Sequence, residues 1–83
     1  MHEYSIVQAM FDRIGEAVAA HHAVSVHRVR VRIGEWSGVE PALLQTAYEV
    51  FRVNTWCADA PLVIQEVQAS DDLVLDQLDL EVP

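Results

Sequence analysis

Lysine is absent from this chain of 83 residues, which has five arginines against thirteen acidic residues and a formal net charge of -8. A surface of that sign repels the phosphates of nucleic acid and of anionic lipids. We therefore expect neither nucleic acid nor a membrane as a partner. The sequence also lacks the roughly 20 consecutive apolar residues that cross a bilayer, and it lacks the basic start and long apolar stretch of a secretion signal. We expect a cytoplasmic protein.

Cysteine occurs once, as Cys57. A single thiol makes no internal disulfide, and without a C-x-x-C pair the chain has no thiolate zinc site of its own. Because Cys57 lies between Trp56 and Ala58, we predict a partly buried thiol that packs as a small apolar residue. The sequence has no constellation of serine, cysteine or carboxylate residues typical of catalysis, so an enzyme is not expected.

Glycine and proline are scarce, at three residues each, and no repeat or low-complexity tract interrupts the chain. Hydrophobic residues make up 52% of the sequence and occur throughout it, which is typical of a folded domain rather than a disordered chain. This length is enough for one modest core and too short for two. We expect residues 1–83 to form a single domain.

Apolar residues recur three and four positions apart from Ile6 to Val18, which predicts an amphipathic first helix with Ser5 as its N-cap. This helix is expected to end near residues 21–22, where two histidines suit the negative end of the helix dipole. Pro41 favours the first turn of a second helix. The predicted apolar stripe of that helix comprises Leu43, Leu44, Ala47, Tyr48, Val50 and Phe51.

Three segments have the alternation or the β-branched composition of strands. Between Val26 and Ile33, aliphatic residues alternate with three arginines, which are predicted to line a solvated face or to pair with carboxylates. The segments 62–67 and 73–82 are predicted to form a hairpin. A bulge is predicted near Asp76 and Gln77, because the apolar positions change parity there.

The predicted order α-β-α-β-β indicates an α+β fold, a small mixed three-stranded sheet with two helices on one face. The helix between the first two strands makes them parallel to each other, and the third strand is antiparallel.

The first three residues, Met1, His2 and Glu3, form a candidate metal site. The Met1 amine, the His2 amide nitrogen and the His2 imidazole close a five-membered and a six-membered chelate ring, and the Glu3 amide or carboxylate completes a plane. Nitrogen-rich, square-planar coordination favours Ni(II) or Cu(II) over Zn(II), Mg(II) or Ca(II). The amine must be free and deprotonated, so affinity should fall with pH. The alternative is that His2 belongs to a frayed terminus and binds nothing.

The opening MHEYSI and the later segment RIGEWSGVEP, over residues 32–41, resemble the HypA/HybF family of hydrogenase nickel-insertion proteins. The second helix and the closing strand extend the resemblance along nearly the whole chain. It implies a nickel metallochaperone domain that carries Ni(II) to a GTPase of the HypB type or to a hydrogenase large subunit. It also implies that His2 and Glu3 are the nickel-binding pair and that Glu40 is a further carboxylate near the metal. The alternative for Glu40 is a structural place at a helix start.

The chain departs from the family in lacking its zinc module, which has two C-x-x-C pairs between the last two strands. We expect this zinc arm to be missing around residues 68–72, where a short turn replaces it. No zinc is expected, and the domain should fold without it. The sequence leaves open whether the shortening is natural or a deletion, and whether the protein is a monomer or a strand-exchanged dimer. The rival interpretation is a metal-free interaction module that docks on the same maturation partners.

Overall fold

Two helices and three strands follow one another in the predicted order, and the α+β prediction is confirmed. The computed structural model describes residues 2–83, so the predicted ligand Met1 lies outside the described residues. Neither helix in that range is long and apolar enough to cross a membrane. The elements are α1 (Glu3–Ala20), β1 (Ser25–Gly34), α2 (Pro41–Phe51), β2 (Leu62–Val67) and β3 (Leu73–Glu81).

Strand β1 lies in the middle of the sheet, whose order is β2-β1-β3. It pairs in parallel with β2 and antiparallel with β3, as predicted for a mixed sheet. The predicted hairpin between β2 and β3 is wrong, because the chain crosses the end of β1 between them. The two outer strands are only about 10 Å apart, so a link as short as residues 68–72 can span either arrangement.

The link over residues 68–72 is fastened to the end of β1 by backbone hydrogen bonds. The Gly34 N–H donates to the Asp72 carbonyl at 2.7 Å, and the Trp36 N–H donates to the Ser70 carbonyl at 2.8 Å. A Cβ on Gly34 would lie 2.7 Å from the Asp72 nitrogen and closer still to the Ser70 carbonyl group. The missing side chain therefore permits this close crossing.

The pairing of β1 with β3 contains the predicted bulge. Arg30 lies opposite Gln77 and Val31 lies opposite Leu75, which leaves Asp76 as the extra residue. Leu75 before the bulge and Leu78 and Leu80 after it pack against the core, as predicted. The prediction is wrong for the two ends of the strand, because Leu73 and Val82 are 38% and 55% exposed. A second register shift, at residue 27 of β1, was not predicted.

Both helices pack on one face of the sheet, but two local predictions about them are wrong. Helix α1 begins earlier than predicted, with His2 as its N-cap and Ser5 inside the first turn. In α2, Leu43 and Val50 are 55% and 58% exposed, because the helix meets the core along a narrower stripe than predicted. The buried residues of α2 are Leu44, Ala47 and Tyr48.

The opposite face of the sheet carries a ladder of ion pairs. Asp76 at the bulge binds Arg32 at 2.9 Å and Arg30 at 3.1 Å, while Arg28 pairs with Asp79 at 2.8 Å. The prediction that these arginines pair with carboxylates is confirmed. A hydrogen bond from the Gln77 side chain, together with Arg28, lowers the pKa of Asp79. Because these side chains are partly exposed, each pair alone adds little to stability.

Candidate metal centre

Two of the predicted ligands lie at the start of α1. His2 is the N-cap and Glu3 is the first helical residue. The His2 side chain is exposed and makes no capping hydrogen bond. Within residues 2–83, the backbone N–H groups of His2 and Glu3 have no hydrogen-bond acceptor, as is usual for the first donors of a helix. The backbone nitrogens of His2 and Glu3 and the His2 imidazole are thus unengaged by the rest of the described chain.

Glu40, the N-cap of α2, lies beside this segment. Its backbone N–H donates to the Glu3 Oε2 atom at 3.3 Å, across a separation of 37 residues. The Glu40 side chain is exposed and makes no capping hydrogen bond of its own. The fold therefore brings Glu3 and Glu40 together and leaves the second carboxylate facing solvent near the first.

Side chains alone do not form a metal site in the described part of the chain. Within residues 2–83, no group of three or more histidine, cysteine, aspartate or glutamate residues is arranged to hold a metal ion. The Met1 amine, predicted as the first ligand, lies outside this range. A centre at the head of α1 therefore depends on the main-chain nitrogens and the terminal amine in addition to the His2 imidazole.

Aromatic contacts that were not predicted from the sequence hold the start of α1 against α2. The ring of Phe51 lies 6.3 Å from the ring of Tyr4 and 5.5 Å from that of Phe11. Phe11 also lies 5.9 Å from Tyr48. Such pairs contribute about 0.5–1.5 kcal/mol each beyond their buried area. The signal in the sequence was the spacing of Tyr4 and Phe11, two helical turns apart on one face.

The thiol of Cys57 lies in the core rather than at a site. It is fully buried, at 0% exposure, so the predicted partial burial was too small. Burial raises the pKa of the Cys57 thiol and also that of the neighbouring Tyr48 hydroxyl, which donates to the Ala60 carbonyl at 2.7 Å. A protonated, inaccessible thiol is a poor metal ligand, so Cys57 packs as a small apolar residue, as predicted.

The model of one protein family matches most of the chain and establishes the family to which the chain belongs. The family described as "Hydrogenase/urease nickel incorporation, metallochaperone, hypA" matches residues 1–71. The chain belongs to this family. It is a family of metallochaperones rather than enzymes, in agreement with the sequence analysis.

Individual relatives support the same assignment. A hydrogenase maturation factor HypA of Shewanella oneidensis is 41% identical over 90 residues, covering 100% of this chain and 76% of that protein. One of Shewanella baltica is 46% identical over 65 residues, covering 78% of this chain and 56% of that protein. One of Wolinella succinogenes is also 46% identical over 65 residues and is covered to 55%. The chain thus aligns with little more than half the length of the latter two.

Two solved structures share the architecture. The solution structure of the Ni metallochaperone HypA from Helicobacter pylori has a TM-score of 0.82 at 24% identity, with 100% of both chains covered. A second, described as the solution structure of HypA protein, has a TM-score of 0.70 at 30% identity and covers 93% of this chain and 71% of that one. These likenesses confirm the predicted fold class.

Proposed function

We propose that this chain is a nickel metallochaperone domain that binds one Ni(II) at its N-terminus and delivers it during [NiFe]-hydrogenase maturation. Membership of a nickel-incorporation family supports the cargo. The observation that carries the position is the head of α1, where the His2 imidazole and two backbone N–H groups are unengaged within residues 2–83. Square-planar Ni(II) takes the His2 imidazole and the His2 amide nitrogen as ligands together with the Met1 amine.

Replacement of the His2 amide proton by the metal is compatible with the helix, and the proton is released to solvent. The His2 N–H precedes the first hydrogen bond of the α1 ladder, so its deprotonation breaks none of the described backbone hydrogen bonds. The His2 carbonyl still accepts from the N–H groups of Ser5 and Ile6, at 3.1 and 3.3 Å. The first turn of α1 can therefore persist while the residues ahead of it wrap the ion.

The two glutamates have different roles in this proposal. The Glu3 carboxylate accepts the Glu40 N–H, which fixes the segment on α2, and this carboxylate is the group that closes the metal plane. The exposed Glu40 carboxylate is the additional acidic group near the ion. As recipients of the nickel we propose a maturation GTPase of the HypB type and a hydrogenase large subunit.

Calorimetric titration with Ni(II) tests the proposal on protein whose chain starts at an unextended Met1. We expect one saturable site per chain and the visible absorption band of square-planar Ni(II). His2→Ala should abolish both signals, whereas His21→Ala, which removes an exposed histidine at the other end of α1, should preserve them. Acetylation of the Met1 amine should weaken binding as strongly as His2→Ala, because it removes the primary amine as a ligand.

Equal binding by the unaltered protein and His2→Ala would refute this site. Weak, non-saturable binding in both would instead favour the metal-free interaction module. Affinity should also fall as the pH is lowered, because protons compete with the metal for the amine and the imidazole.

A further inference from the structure

Strand β2 leaves one edge of the sheet without a partner in the described chain. The β1 segment donates backbone hydrogen bonds to the carbonyls of Pro61 and Val67, at 3.0 and 2.8 Å. Bonds between parallel strands use alternate residues, so the odd-numbered residues of β2 face β1. The outward N–H and C=O groups, which have no hydrogen-bond partner within residues 2–83, belong to Leu62, Ile64 and Glu66.

The other edge of the sheet, β3, is protected against the addition of a strand. It carries the bulge at Asp76 and several acidic side chains, both of which discourage edge pairing. Strand β2 has no bulge in its register with β1 and a single charged residue, Glu66. Its Val63 is 40% exposed. The contrast indicates that β2 is the edge on which a partner strand can add.

A cavity of about 450 Å³ lies at the carboxyl ends of β1 and β2. Its lining includes Glu35 and Glu66, both exposed, and neither forms an ion pair within residues 2–83. The Glu35 Oε1 atom accepts the Ala69 N–H at 3.0 Å, which fixes this carboxylate at the rim. Two carboxylates on a chain of net charge -8 complement a cationic side chain.

We propose that the outer edge of β2 binds an extended segment of a partner protein and that a basic side chain of this segment enters the cavity between Glu35 and Glu66. The three outward N–H and three outward C=O groups of β2 supply the main-chain hydrogen bonds. The cavity makes the binding specific for a cationic side chain, because the main-chain hydrogen bonds of strand addition do not depend on the partner's sequence.

Docking at this edge brings the partner close to the candidate metal centre. Val39 lines the cavity and directly precedes Glu40, whose N–H binds the Glu3 carboxylate at 3.3 Å. A segment seated on β2 therefore ends beside the loop that touches the head of α1. This step alone rests on the proposed nickel function, under which the partner would lie next to the cargo when it is handed over.

Hydrogen exchange of the metal-free protein tests the docking without involving nickel. The probe is a synthetic eight-residue peptide of alternating valine and threonine with one arginine, and the control peptide has glutamate in place of the arginine. At nine-tenths occupancy the arginine peptide should slow exchange of the outward amides of Leu62, Ile64 and Glu66 about tenfold, because only the free fraction exchanges. The inward amides of Val63 and Gln65 are already bonded to β1 and should change little.

A matched pair of proline variants tests whether the outward N–H groups of β2 bind the peptide. Ile64→Pro removes an outward N–H, which an edge strand tolerates, so it should fold and lose peptide binding. Gln65→Pro removes an inward N–H and should destabilise the sheet. The double variant Glu35→Gln, Glu66→Gln keeps the backbone edge and should lose the preference for the arginine peptide.

Three outcomes would overturn the proposal: no protection by the arginine peptide at millimolar concentration, equal protection by the glutamate peptide, or protection that persists in folded Ile64→Pro. If Ile64→Pro fails to fold, the glutamine double variant still decides, since an unchanged preference for arginine would overturn the proposal. None of these results bears on nickel binding by His2, so the two proposals can fail separately.

Discussion

Replacing Gly34 with alanine should force the link over residues 68–72 away from the end of β1. The new Cβ would lie 2.7 Å from the Asp72 nitrogen and closer still to the Ser70 carbonyl group. These are backbone atoms rather than the end of a flexible side chain, so the link itself must move. The movement breaks the hydrogen bonds of 2.7 and 2.8 Å that fasten the link to Gly34 and Trp36.

The expected cost follows from these contacts. Each lost hydrogen bond costs about 0.5–1.5 kcal/mol, and crowding of a packed region costs about 1–3 kcal/mol. Alanine recovers about 0.5–1 kcal/mol by restricting the unfolded chain more than glycine does. We therefore expect Gly34→Ala to lower the free energy of unfolding by about 1–5.5 kcal/mol, a large share of the stability of so small a domain.

Urea denaturation followed by circular dichroism measures this change. Gly15→Ala is the matched control, because a Cβ there would meet the Trp56 ring at an ordinary 3.5 Å and the site is inside α1. That variant should be stabilised by about 0.5–1 kcal/mol. If Gly34→Ala stays within about 0.5 kcal/mol of the unaltered protein, the link does not cross β1 closely and the reasoning is refuted.

Two further predictions concern the ion-pair ladder and the buried thiol. Asp76→Asn should lower the free energy of unfolding by about 1–2 kcal/mol, because one carboxylate binds both Arg30 and Arg32. The decrease should be smaller at high salt, which screens the ion pairs. A decrease no larger than that caused by Asp12→Asn, on the exposed face of α1, would contradict this. Cys57 should react with iodoacetamide only as fast as the protein unfolds. Because burial raises the pKa of Cys57 in the folded state, its stabilising contribution is present below the unfolded pKa and lost as pH rises, so stability should fall more steeply in alkali than for Cys57→Ala.

Local spacing predicted the elements, whereas pairings between distant residues decided their arrangement. The change of parity in the last strand was sufficient to predict the bulge at Asp76. The predicted hairpin failed because residues 68–72 fit a turn as well as a crossing, and the choice depends on β1 pairing with both outer strands. Capping preference favoured Ser5 as the start of α1, but the helix begins at Glu3, whose carboxylate accepts the Glu40 N–H of the other helix.

In the candidate metal centre, too, local features of the sequence predicted the residues but not the contacts between distant ones. His2 and Glu3 were identified from residue type and family resemblance, and both lie at the head of α1. No local pattern predicts that the Glu40 amide binds Glu3 or that the Tyr4 ring packs on Phe51, because these contacts require the two helices to be docked. The sequence also did not predict that one edge of β2 has no partner strand within residues 2–83, since this follows from the strand order.

The meeting of Glu3 with Glu40 means that both helices begin at one place. Each helix start carries about half a unit of positive charge, so an incoming dication meets repulsion there that the two carboxylates offset. If nickel binds there as proposed, it would be held by its bonds to donor atoms rather than by the electrostatic field of the two helix starts. Under this proposal, transfer of the ion to a more negative acceptor would require no unfolding of the carrier.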